Sequence, residues 1–399
     1  MKIFLCLASV AYRKNGGKKY MKRLKIITVL LAAMVMVPMV SAVVEADADL
    51  AASVSGSLVD VNKIALPKLM FDETQKKVEV TTELSPVGTR GLQAIPKGAI
   101  IHHAQNGITT VFDRDGRQVL IADDRESTVI STPSGLKRAT YITEVPPESH
   151  VINKGDVTYV TNGNDLILTV ICENVTQNVL NERVLNRKSG TAAATLSNFN
   201  GWIEYAYDNM VQIRQFDAYW TVPSSPPSSE SAEPIFLFNG IRTYGETAIV
   251  QPVLEWNQPS TGLYWTGSSW ALKDGMQTFK TTRITASTGD TMKGRLYWYS
   301  ATNEWYIQIY DVTNGQYRSL YSNYVPDSNV QIDVTLEGWG IDDNSDVPGD
   351  TTFYNMVYKY NGNTVPVVLK RFTSTSAPLT QLNVEILSNP SSVKLHTAN

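Results

Sequence analysis

Only two cysteines occur in the 399-residue chain, Cys6 and Cys172, and Cys6 lies ahead of an apolar leader-like run. A chain cut after that run keeps one cysteine and can form no internal disulfide, so its stability must come from its core and hydrogen bonds. Histidine is nearly as scarce, with His102, His103, His150 and His396, none of them within the tryptophan-rich segment from Trp202 to Trp339. A Ser-His-Asp or Cys-His nucleophile built inside that segment is excluded, and so is a His-rich zinc site there. Long apolar runs are missing except for one, IITVLLAAMVMVPMV, preceded by Lys22, Arg23 and Lys25 and followed by Ser41 and Ala42. That order of charge, apolar run and small residues predicts a secretory signal, best begun at Met21.

Basic charge is the next shortage. The whole chain carries 35 Lys and Arg against 38 Asp and Glu. Cleavage after Ala42 removes eight basic residues and no acid, which leaves 27 against 38, a net of −11. Nucleic acid is a poor partner for such a surface. An exported, acidic protein suits an acid medium, where its carboxylates titrate and its net charge moves toward neutral. With the signal removed, the chain is expected to be secreted and monomeric, with no stable membrane association.

Composition divides the chain in three: residues 1–46 as extension and signal, 47–195 as a small β-rich prodomain with linker, and 196–399 as the main domain. Short β runs alternate with turns between Ala99 and Val170, for example AIIHHA, GITTVF, DRDG and QVLIA. Apolar density then falls from Glu173 to Ser197. All eight tryptophans follow, among short strands with Gly, Pro, Asn and Ser turns. Regular short strands without helical periodicity predict an all-β antiparallel sandwich of two curved sheets, of the jelly-roll or concanavalin-like kind.

Two strands organise that domain. In Ala248–Trp256 one face reads Ile249, Gln251, Val253, Glu255, and the other is wholly apolar. In Val330–Ile341, Ile332, Val334 and Leu336 alternate with Asp333, Thr335, Glu337 and Trp339. If both strands share a sheet, Gln251 and Glu337 face one groove. The hairpin from Arg295 to Asp311 carries large side chains on both faces, with Tyr297, Tyr299, Tyr306 and Tyr310 as candidates to line a concave aromatic surface.

The order of these motifs resembles the glutamic peptidases (eqolisins). It runs W-x-V-P at Trp220–Pro223, an apolar strand ending Asn239-Gly240-Ile241, the Gln251 strand, T-G-D at Thr288–Asp290, W-x-I-x-I-x-D-x-T-x-G at Trp305–Gly315, and Glu337 beside Trp339. The resemblance covers roughly 216–341 and implies a β-sandwich, a removable propeptide and a Gln/Glu dyad that cleaves peptide bonds in acid. It assigns Gln251 and Glu337 as that dyad. Trp220, Phe238, Tyr297, Tyr299, Tyr306 and Trp339 are taken as substrate-binding, the substrate is a polypeptide, and neither cofactor nor metal is called for.

The chemistry stands without the resemblance. Amide hydrolysis needs a base for water, an acid for the leaving nitrogen and a donor for the oxyanion. Glu337 would serve as base and then acid, and Gln251 as oxyanion donor. Glu255 with Glu337 stays open as a carboxylate pair of the glycosidase kind. The loop Asp342–Asp346 alternates oxygen ligands but lacks the glycine and distal glutamate of an EF-hand, so a solvated loop is expected. A non-catalytic alternative is a secreted carbohydrate-binding or adhesive sandwich whose tyrosines stack on sugar rings.

Overall fold

The computed structural model describes residues 59–80, 94–179, 181–182, 199–228, 233–258 and 262–399. The expected signal and the soft stretch near 188–195 lie outside the described residues.

Alternating apolar residues and tight turns generate the first strands, β1 (Ala99–His103), β2 (Ile108–Phe112) and β3 (Gln118–Asp123). A two-residue turn at Pro133 and Ser134 joins β4 (Val129–Thr132) to β5 (Gly135–Arg138). Then come β6 (Ile142–Val145), β7 (Ser149–Lys154), β8 (Val157–Asn162) and β9 (Asp165–Cys172).

The tryptophan-rich part opens with β10 (Phe199–Gln212), β11 (Gln215–Thr221), β12 (Ile235–Thr243) and β13 (Ala248–Trp256). It continues with β14 (Trp265–Lys273), β15 (Thr278–Thr281), β16 (Ile284–Ala286), β17 (Thr291–Tyr299) and β18 (Glu304–Asp311). Next are β19 (Gln316–Ser322), β20 (Ser328–Ile341), β21 (Thr351–Tyr360) and β22 (Asn363–Thr364). The last are β23 (Lys370–Thr373), β24 (Asn383–Ser388) and β25 (Ser392–His396).

Two large sheets hold nearly all of them, and pairing is mostly antiparallel. The larger has fourteen strands, ordered β24-β25-β21-β11-β17-β18-β19-β7-β8-β9-β1-β2-β3 with β22 beside β21. The smaller has nine, ordered β23-β10-β20-β12-β13-β14-β15-β6 with β16 beside β14. The fold is an all-β sandwich. Both sheets contain strands from either side of residues 183–198. The joints are two parallel pairs, β7 with β19 and β6 with β15.

The core lies between the sheets. From the smaller sheet it takes Leu237, Ile241, Val250, Leu254, Ile332, Val334 and Leu336, and from the larger Phe216, Trp220, Leu296, Trp305, Ile307 and Ile309. Each buried phenylalanine-sized side chain contributes about 2–3 kcal/mol, which is how a sandwich without a disulfide stabilises itself. The sheets approach closely at Gly294, where a Cβ would collide with the Asn239 side chain and Pro252. Among the described residues no helix is long and apolar enough to cross a membrane.

Candidate functional site

Because the apolar residues of β12, β13 and β20 point into the core, the intervening residues stand on the opposite face of the smaller sheet. That face carries Phe236, Phe238, Gly240 and Arg242 on β12, and Ile249, Gln251, Val253 and Glu255 on β13. On β20 it carries Asp333, Thr335, Glu337 and Trp339. Phe236, Phe238, Ile249, Val253, Trp270, Leu272 and Trp339 form a second apolar cluster there, separate from the core. Gln251 and Glu337 both stand on this face, fully buried.

Register sets which groups are neighbours. Glu337 pairs with Phe236, and Phe236 with Glu255, so the two glutamates flank one phenylalanine. Four residues along, Asp333 pairs with Gly240. The pairings Ile241 with Val250 and Phe238 with Val253 put Gly240 beside Gln251. Gln251 is therefore level with Asp333, and Glu337 is level with Glu255. Gln251 and Glu337 lie two strand spacings and four residues apart, roughly 16 Å between backbones.

Each polar group has a distinct environment. Gln251 is fully buried, and its Nε2 donates to the backbone carbonyl of Pro133 at the tip of the β4–β5 hairpin. Its Oε1 has no hydrogen-bond partner among the described residues. Glu255 is saturated: it accepts from the Ser268 hydroxyl, from Trp270 Nε1 at 2.7 Å and from Arg283 Nε at 2.7 Å. Burial alone would push this carboxyl up, but Arg283 and Lys280 outweigh it and hold Glu255 below its ordinary range.

Glu337 accepts from Trp339 Nε1 at 2.9 Å, and burial pushes its carboxyl up to about 8 against the hydrogen bonds of Trp339 and Trp202. Asp333 accepts from Thr335 Oγ1 at 3.1 Å and lies 3.7 Å from Arg242 Nε. Burial pushes it up to about 6, against the attraction of Arg242. Arg242 stacks its guanidinium 4.3 Å from the centre of the Trp202 ring and pairs with Glu246 at 3.0 Å.

Beside the hairpin tip the face opens into a cavity of about 340 Å³, lined by Ser134, Trp202, Tyr205, Arg242, Ile249 and Leu272 among others. It lies at the Gln251 end of the face. Leu136 of the hairpin packs on the apolar cluster, and the nearby Lys137 pairs with Glu182 at 2.7 Å, largely out of solvent.

The remaining residues expected to bind substrate divide. Phe238 and Trp339 belong to this face. Trp220 does not: it is fully buried in the core against Phe353, where no ligand reaches it. Tyr297, Tyr299 and Tyr306 lie on the outer face of the larger sheet, next to one another and to Tyr321. Strand alternation shows that they face away from Leu296 and Trp298, but it cannot say which sheet they belong to. Missed by sequence reasoning were Asp333, whose place on the same strand face as Glu337 was visible, and the Pro133 carbonyl, for which no local signal exists.

Asp342, Asp343 and Asp346 bring carboxylate oxygens within 4.8 Å of one another. Asp346 accepts from the backbone N–H of Asp342 and Asp343, and Asp343 caps Ser345. These are turn contacts, with Asp342 and Asp343 exposed and Asp346 buried.

No known family and no curated protein sequence matches the chain. Among solved structures, scytalido-glutamic peptidase with a transition-state analogue inhibitor is similar over 51% of this chain and 100% of its own, at 14% identity and a TM-score of 0.38. Aspergilloglutamic peptidase from Aspergillus niger covers 41% of this chain and 99% of its own, at 17% identity and a TM-score of 0.33. An alginate lyase from Alteromonas sp. 272 covers 35% of this chain and 60% of its own, at 9% identity and a TM-score of 0.24. These likenesses are distant.

Proposed function

We propose that this chain is an exported, acid-active endopeptidase whose cleft is the outer face of the smaller sheet. The observation that carries the reading is the hydrogen bond from buried Gln251 to a polypeptide carbonyl, that of Pro133. A side-chain amide that holds a ground-state carbonyl is placed to hold the oxyanion that develops from it. Carboxyls raised by burial stand on the same face, where one of them activates water and then protonates the leaving nitrogen. The residue pair read from the sequence for this work is Gln251 and Glu337.

In this reading the β4–β5 hairpin fills the cleft as an internal inhibitor, and residues 47–195 act as a prosegment. A hairpin tip is a poor substrate, because its tight turn withholds the extended backbone that a cleft hydrolyses. Acid suits the cleft as well. Glu337 and Asp333 both have folded-state values above their ordinary ones, so the stability that they contribute is fully present in acid and lost as pH rises.

The test is hydrolysis of casein by the full chain from pH 2 to 7. Silence throughout, with the protein folded and the hairpin displaced by mutation, ends the proposal. The alternative of a sugar-binding sandwich draws on Tyr297, which is 38% exposed and edge-on to Tyr299 on the larger sheet. Polysaccharide retention without any proteolysis would favour it.

A further inference from the structure

We propose that Asp333, and not Glu337, is the carboxyl that works with Gln251, an inference that rests on the peptidase reading above. Gly240 lies between them on β12. Gly240 lacks a side chain where one is needed least: a Cβ there would meet Asp333 Oδ1 at 2.9 Å and Ile249 Cδ1 at 3.2 Å. The Asp333 carboxyl therefore leans over Gly240. With one strand between them, the backbones of Asp333 and Gln251 are about 10 Å apart. In the proposed complex a carboxylate reaching from one side and a carboxamide from the other would flank the carbonyl of a bound peptide over Gly240. Glu337 lies two further rungs away, beyond Phe238 and Thr335.

Two more observations select the Asp333 end of the face. The Pro133 carbonyl, which marks where a bound peptide bond would sit, is held by Gln251, and the open cavity adjoins it at Ser134, Arg242 and Ile249. At the other end, Glu337 is held by Trp339 Nε1 at 2.9 Å and stands level with Glu255, four residues along the strand from the Pro133 carbonyl.

Asp333 has the groups that a base needs. Arg242 Nε lies 3.7 Å from Oδ2 and favours the ionised form against the larger effect of burial, Thr335 fixes Oδ1, and Oδ2 has no hydrogen-bond partner among the described residues. The other charged groups that bear on it are Glu246, which shares Arg242, and Glu337 along the strand. In the proposed step a water oxygen adds to the carbonyl carbon while Asp333 takes its proton and Gln251 donates to the oxyanion. The C–N bond then breaks as Asp333 returns that proton to the leaving nitrogen. The products are a carboxylic acid and an amine, and no other reactant is consumed.

The test compares Asp333→Asn, Glu337→Gln and wild type in the full chain with casein, at the pH where wild type is most active. Asp333→Asn is expected to lower kcat by about 10²–10⁴-fold with KM little changed, and to erase the acid limb of the pH profile. Glu337→Gln is expected to lower kcat less than Asp333→Asn does. Gly240→Ala, which crowds the Asp333 carboxyl without removing it, should lower kcat and leave KM unchanged. This variant covers the case in which Asp333→Asn fails to fold. If Glu337→Gln abolishes hydrolysis while Asp333→Asn and Gly240→Ala keep it, the inference is overturned and the peptidase reading stands. A wild type that cleaves nothing from pH 2 to 7 overturns both.

Discussion

His103 on β1 donates from Nε2 to the carboxamide oxygen of Gln277, 2.7 Å away, just ahead of β15. The direction is fixed because Gln277 spends its nitrogen on the Thr140 carbonyl and the Thr143 hydroxyl. The other ring nitrogen of His103 meets Thr109 Oγ1 at 2.7 Å, and Thr109 meets Asp124 Oδ1 at 2.5 Å. Burial lowers His103 to about 4 and raises Asp124 to about 6.

Those two shifts predict opposite tilts. A depressed histidine loses its stabilising contribution as pH falls from its unfolded value toward 4, whereas a raised aspartate loses its own as pH rises toward 6. In wild type they nearly cancel. Asp124→Asn should therefore lower the urea midpoint at pH 4 relative to pH 7, and His103→Gln should do the reverse. Equal responses in both variants would disprove the coupling.

Glu204 on β10 is fully buried, with Asp350 as its charged neighbour, and burial raises it to about 9. Its unfolded value is lower, so the stability it contributes is full in acid and falls as pH climbs toward 9, by about 1.4 kcal/mol per unit at most. Glu204→Gln is expected to raise the melting temperature at pH 8 and leave it little changed at pH 4. A gain at both pH values would refute the titration argument.

The hairpin is predicted to inhibit. Leu136→Asp places a charge in the Phe236–Phe238–Trp270 cluster and should unseat the tip. Casein hydrolysis near neutral pH should then rise severalfold, and a variant no more active than wild type would remove the hairpin as an inhibitor.

Gln251→Ala is expected to lower turnover by about 10²–10³-fold, the loss typical of one oxyanion donor. Because Gln251 is fully buried and its amide satisfies the Pro133 carbonyl, the change should also cost about 1–3 kcal/mol of stability, too little to unfold the sandwich. Glu255→Gln serves as the contrast. It breaks the ion pair of the fully buried Glu255 with the part-exposed Arg283 and should destabilise by about 1–3 kcal/mol, seen in urea titration.

Much of the sandwich was legible. The period-two alternation in β13 and β20 correctly separated the core residues from Gln251 and Glu337, and the Arg295–Asp311 hairpin formed with Leu296 and Ile307 in register. What alternation cannot supply is stagger. Asp333 and Glu337 are equivalent in a period-two pattern, and only the pairing through Gly240 and Phe236 tells them apart. The tyrosines show the same limit, since face is local but sheet membership depends on distant pairing. Trp220 looked like a cleft residue because its type suits ligands, yet its strand turns it toward Phe353.

The parallel joints have a bearing on how the chain comes off the ribosome. Ile142 of β6 pairs with Thr278, and Ser149 of β7 with Leu320, so strands made early wait for partners made much later. At about 10 residues per second that wait is on the order of ten seconds, with β6 and β7 edges open meanwhile. Such distant pairings close slowly, because loop entropy opposes them before any contact repays it. Refolding from urea should therefore be slow and concentration-sensitive.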